Sequence, residues 1–174
     1  MPSIDLIEWS REIETLPSPD CFIFAAAQGW FELGALNESA LEIKRLSNMT
    51  QEDLDVLLFK TKLFCGLGQF EQSKEAAFKV IQAAPDDLDA WLNLAECIYR
   101  LDGAGAGIRC LKKLERLLSE NHRFCISLAR YYALLGDGEN ATEWFNNSFI
   151  HGDALREAER FEELHPYIAK LAQK

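Results

Sequence analysis

An all-α solenoid of stacked helix–turn–helix units is the fold predicted by this 174-residue sequence. The first observation is a step of 34 residues held by several ladders at once. Ile23, Leu57, Trp91 and Cys125 form one, and Trp30, Phe64, Ile98 and Tyr132 a second. Ala27, Thr61, Ala95 and Ala129 form a third, with alanine at three of its four rungs. The second observation is the ladder Gly34, Gly68, Asp102, Gly136, which marks the turn of each unit. A unit of this length cannot bury its apolar face alone, so neighbours must stack to make a core. Stacks of that kind offer extended binding surfaces rather than catalytic pockets.

The elements follow in order. Residues 3–14 place Ile4, Leu6, Ile7, Trp9 and Ile13 at roughly helical spacing. Pro17 and Pro19 stop that helix and set an extended link. Helix 1A is expected over about 20–32, closed by Gly34, and helix 1B over about 38–46. Thr50 opens the second unit as a helix cap with Asp53 three residues on. Its first helix breaks at Gly66-Leu67-Gly68, and its second spans 70–83 before Pro85. Asp86 or Asp87 caps helix 3A, which carries Trp91, Leu94, Ala95 and Ile98. The run 102–107 holds three glycines. No strand precedes them and no Lys-Ser/Thr follows, so it reads as an inter-helix turn and a closely packed helix start, not a phosphate loop. The fourth unit contains Cys125, Leu128, Ala129, Tyr132, Gly136, Ala141 and Phe145. A last helix is expected over 153–164, its acids forming a solvated face. The division is therefore 1–19 for an N-terminal helix and link, repeats at 20–53, 54–87, 88–121 and 122–152, and a C-terminal cap at 153–174. Trp91, Ile98, Tyr132 and Phe145 are expected to fill the gaps between repeats.

Charge and composition exclude several functions. Net charge is −10, with no basic stripe to neutralise phosphates, so nucleic acid is not an expected partner. The longest apolar run, 21–27, is too short to span a membrane, which needs about 20 residues. The start lacks the basic and apolar regions of a signal peptide, so the expected location is cytoplasmic. Five cysteines, without a Cys-x-x-Cys pair, read as reduced, buried hydrophobes. His122 and Cys125 lie three apart on one helix, but two ligands do not make a zinc site. No catalytic motif, metal set or cofactor motif is present, so the expectation is no enzyme and no cofactor.

Repeat three carries Trp91, Leu94 and Ala95, and repeat two carries Gly68 and Pro85. Repeat four carries Leu128, Ala129, Tyr132, Gly136, Ala141 and Phe145, and the degenerate repeat one keeps Ala27, Trp30, Gly34 and Ser39. On these residues the chain resembles the tetratricopeptide repeat family over about 20–152. Asp102 and Gly107 depart from the family pattern. The resemblance implies a right-handed α-solenoid with N- and C-terminal capping helices and the A helices lining its concave side. It also implies a non-enzymatic adaptor or scaffold. A dedicated assembly chaperone, or a subunit of a larger complex such as a secretion apparatus, is the alternative.

The concave positions implied by the resemblance are Phe24, Phe31, Leu58, Lys62, Leu92, Tyr99, Arg100, Ile126 and Arg130. The apolar members would anchor a protein or peptide segment, and the basic ones would select an acidic group. The carboxylate-clamp set of chaperone-binding relatives is incomplete, since Phe24, Gln28, Leu58 and Lys62 stand at its positions. The chain's own residues 3–14 are the rival occupant of this groove, and a homodimer is kept open.

Overall fold

Eight helices start on one beat. A computed structural model of the chain describes residues 16–150 and 154–171. The A-type helices are α1 (Asp20–Glu32), α3 (Leu54–Gly66), α5 (Leu88–Asp102) and α8 (His122–Leu134). Each begins 34 residues after the last. The B-type helices α2 (Leu36–Arg45), α4 (Phe70–Ala83), α6 (Ala104–Lys112) and α9 (Gly138–Ile150) keep the same step. A short α7 (Glu115–Leu118) precedes α8. Two further pieces, α10 (Leu155–Ala158) and α11 (His165–Leu171), follow α9. No strand occurs among the described residues.

The beat has a chemical cause at the helix starts. Asp53, Asp87 and Asn121 stand 34 apart, and each satisfies orphan amides of the helix after it. Asp53 accepts from the Asp55 amide at 3.0 Å, and Asp87 from Ala90 at 2.7 Å. Asn121 accepts from Arg123 at 3.0 Å and Phe124 at 3.3 Å. The expected cap at Thr50 is overturned. Residues Thr50–Glu52 form a single 3-10 turn, and Asp53 does the capping itself.

Three A-type helices end in the same way. Gly34, Gly68 and Gly136 adopt φ of 76°, 72° and 76°, a region that costs little only without a Cβ. The next amide then reaches back to the helix, from Ala35 to Trp30, Gln69 to Phe64 and Asp137 to Tyr132, at 2.8–3.0 Å. Repeat three departs. Asp102 stays helical and Gly103 takes the left-handed position, with φ 84°. The expected close packing of the following helix is present. A Cβ on Gly107 would lie 3.1 Å from Tyr131 Cε2.

Two compact units divide the chain, one ending at Asn93 and the other beginning at Leu94. In the first, α1 packs on α2 and α3 on α4. Phe24, Ala27, Ile43, Leu46, Val56 and Leu63 share one core, and Leu57, Val80 and Ala90 a second. Ser39 and Ser73, also 34 apart, tie the pairs internally. Each buried hydroxyl donates to a carbonyl of the facing A helix, Ala27 at 2.8 Å and Thr61 at 2.6 Å. In the second unit α8 packs on α9 and on α6, burying Phe124, Leu128, Tyr131 and Phe145. The expected gap-fillers need correction here. Phe145 is buried, but Trp91, Ile98 and Tyr132 are half-buried, and of the two adjacent tyrosines it is Tyr131 that is buried.

The continuous helix expected over 153–164 is also broken. After α10 the chain extends at Phe161, makes a 3-10 turn at Glu162–Leu164, and enters α11 at His165. Pro166 falls in the first turn of α11, where its missing amide costs nothing. The helix expected over 3–14 lies outside the described residues.

Candidate peptide-binding surface on the A-type helices

In the first unit the A-helix positions are partly open. Leu54 is exposed on α3, and Phe31, Leu58 and Leu92 are half-buried. Lys62 is exposed and meets Asp89 at 3.7 Å. Phe24 is not available. It is buried in the α1–α2–α3 core, edge-on to Phe59 with ring centroids 5.4 Å apart. Phe31 reaches the same Phe59 ring at 5.3 Å, so Phe59 joins two of the expected residues without having been expected itself.

In the second unit the equivalent positions are closed from within. Ile126 is fully buried, and Arg130 is 8% exposed. The Arg130 guanidinium donates to Glu96 at 2.7 Å and to Glu163 at 3.4 Å. It lies over the rings of Phe161, Tyr99 and Tyr131 at 4.5, 5.2 and 5.8 Å. Tyr131 Oη donates to the same Glu96 oxygen at 3.2 Å. Burial, with the Glu96 carboxylate beside it, holds the Tyr131 phenol well above its ordinary pKa. Arg100 pairs with Glu96 at 2.8 Å and covers the outer part of Tyr99 at 5.4 Å. Tyr99, Arg100 and Arg130 are thus brought together, but around an internal carboxylate.

The segment 155–164 supplies the rest of this closure. Glu157 reaches His122 at 3.6 Å and Arg123 at 3.5 Å. Phe161 and Glu163 cover Arg130. Ala154, Ala158 and Leu164 are fully buried and anchor the segment. Glu157 and Glu163, expected as a solvated face, are partners of α8 instead. A charge ladder was the legible signal: Lys62, Glu96 and Arg130 are 34 apart, and so are Arg123 and Glu157.

No protein-family model matches the sequence, and none of the curated proteins does. Solved structures match over most of the chain. A thermophilic TPR protein of Thermus thermophilus, TTC0263, superposes with a TM-score of 0.67 at 19% identity, covering 88% of this chain and 89% of that one. The fold is of the tetratricopeptide repeat type. MamA residues 41 to the end, from Desulfovibrio magneticus RS-1, agree with a TM-score of 0.66 at 19% identity, over 88% of this chain and 81% of that one. A further MamA crystal structure gives 0.65 at 12% identity and 87% of each chain. At these identities the tetratricopeptide likeness establishes the fold and not a partner.

The remaining chemistry is quiet. Burial pushes the Cys110 thiol up and the Cys125 thiol up to about 11, so both are protonated at neutral pH and poor nucleophiles. Lys60, buried beneath the 3-10 turn, donates to the Gln51 carbonyl at 2.8 Å, and burial lowers its pKa. Among the described residues no cluster of three or more His, Cys, Asp or Glu could hold a metal ion, and no helix is long and apolar enough to cross a membrane.

Proposed function

We propose that the chain is a non-enzymatic protein-interaction module. It takes a peptide or partner segment along the A-type helices of its first unit. The observation that carries this is the contrast between equivalent positions. Arg130 and Ile126 are enclosed by the chain's own residues, while Leu54, Leu58, Lys62 and Leu92 keep accessible surface. An exposed pair as long as Lys62–Asp89 contributes little to stability, roughly 0–1 kcal/mol. Lys62 can therefore exchange Asp89 for a carboxylate of the ligand at small cost. Apolar anchors supply most of the affinity in such a groove, and the charge sets register and on-rate.

The test is a pull-down from the native organism with Leu58→Glu and Leu92→Glu together, folding being checked by circular dichroism. Loss of the captured proteins supports the reading. A folded variant that retains every partner overturns it. One stoichiometric partner would assign the role of assembly chaperone or structural subunit, and several weak ones that of an adaptor.

A further inference from the structure

We propose that the first unit takes a partner segment of mixed charge, with a basic residue seated on Asp55, an aromatic on Leu58 and an acidic residue on Lys62. This rests on the reading that the A-type helices of that unit take a partner segment. Asp55, Leu58 and Lys62 follow i, i+3, i+7 spacing, so they share one face of α3. Asp55 and Lys62 are exposed, and Leu58 between them is half-buried. At a rise of 1.5 Å per residue the two charges stand about 10 Å apart along the helix.

The second unit shows how such a row is filled. Two steps of 34 later, the equivalent row on α8 is Arg123, Ile126 and Arg130. The chain's own segment follows that row in one direction. Glu157 reaches Arg123 at 3.5 Å, Phe161 lies over Arg130 at 4.5 Å, and Glu163 pairs with Arg130 at 3.4 Å. An acid, an aromatic four residues on and an acid two beyond it thus match a row with a base at each end. On α3 the far base is kept as Lys62 and Ile126 becomes Leu58, but Arg123 becomes Asp55. The same path over α3 therefore calls for the opposite charge at its first position and the same two groups after it.

Charge balance selects this ligand over a purely acidic one. The chain carries −10 and repels an acidic segment at long range, whereas a segment with one base and one acid is not repelled. Asp89, which meets Lys62 at 3.7 Å, stands on α5 at the position equivalent to Asp55, so both helices begin with an acid on this row. Desolvation, and then Asp53 beside it, raises the Asp55 pKa, and a ligand cation offsets both effects. Opposite charges at the two ends also give the segment a direction. The reversed order would set an acid on Asp55 and a base on Lys62.

The experiment is fluorescence anisotropy on the full chain with two labelled, end-capped peptides, Lys-Ala-Ala-Ala-Phe-Ala-Glu and its charge-reversed form Glu-Ala-Ala-Ala-Phe-Ala-Lys. The first should bind about tenfold more tightly, and the preference should shrink as salt rises to about 0.5 M. Asp55→Lys with Lys62→Glu, both at exposed positions, should invert the preference without changing the circular dichroism spectrum. Lys62→Met keeps the stem and removes the charge. It should cut the preference, and it covers the case of a double variant that does not fold. A preference that survives these substitutions overturns the assignment to Asp55 and Lys62. Equal binding of both peptides, lost in Leu58→Glu with Leu92→Glu, overturns the charge order and leaves the groove reading standing. Equal binding that persists in that variant overturns both. Binding of neither peptide overturns the proposal, and the pull-down then decides the groove separately.

Discussion

Gly105 and Gly107 lie two residues apart on α6, and the same substitution should act on them with opposite sign. In a helix Ala is favoured over Gly by about 1 kcal/mol. At Gly105 the added methyl meets only Arg109 Nη1, at 3.6 Å, an ordinary contact. Gly105→Ala should therefore stabilise the chain by about 0.5–1 kcal/mol. At Gly107 the methyl would stand 3.1 and 3.2 Å from Tyr131 Cε2 and Cδ2, and 3.3 Å from Tyr99 Cβ. Neither neighbour can retreat freely. Tyr131 is buried and tied to Glu96, and its ring packs on Tyr99 with centroids 5.4 Å apart. Overpacking of this kind costs about 1–3 kcal/mol. With the propensity gain subtracted, Gly107→Ala should lose up to about 2 kcal/mol. The propensity contribution cancels between the two variants, so their difference measures the overpacking alone. Urea unfolding followed at 222 nm, with the slope checked for constancy, gives both numbers. Equal shifts of the same sign would refute the claim that α6 is pressed against Tyr131.

Three further outcomes follow from burial and hydrogen bonding. Tyr131→Ala should cost about 3–5 kcal/mol, whereas the half-buried Tyr132→Ala should cost clearly less by the same assay. The Asp20 carboxyl is held below its ordinary range chiefly by the Ser47 hydroxyl at 2.5 Å, then by Thr50. Its stabilising effect is complete above the unfolded carboxylate pKa of about 4 and is lost as pH falls below that value and through the lower pKa of the folded state. Asp20→Asn should flatten the acid limb of a melting-temperature profile. Cys125 acts at the other end: unfolding frees a thiol of pKa about 8.5 from a site where it is about 11. Stability should fall as pH rises through that interval, and Cys125→Ala should remove the part seen between about 8.5 and 10, below tyrosine ionisation.

The helix pairs could be read in the sequence because their causes are local and recur. A capping side chain, a glycine able to turn left-handed and a small residue at each crossing all act within a few positions. Tyr131 and Tyr132 show the limit. Both are aromatic and adjacent, and the ladder singles out Tyr132, yet a rotation of 100° between neighbours puts Tyr131 into the core. Surface positions were harder still. Arg130 has the composition of a ligand-binding cation, and only contact with Glu96 and Glu163, each more than 30 residues away, turns it inward. Acids and bases repeating at 34 carry that information, but only when read as pairs across repeats rather than along one helix.

The irregular third turn shows how the molecule tolerates change in length. Three residues link the helices of the other pairs, Leu33 to Ala35, Leu67 to Gln69 and Leu135 to Asp137, whereas Gly103 alone joins α5 to α6. Yet Ala104 still starts on the beat, because α5 has 15 residues where α1, α3 and α8 have 13. What the turn lost, the helix gained. An unmatched residue inserted within a helix would swing every later side chain of that helix by 100° and aim its apolar face at water. Duplication of a whole 34-residue module would leave every face where it was. Viable descendants of this gene should therefore differ in length by whole modules, with smaller indels occurring as compensated pairs inside one module.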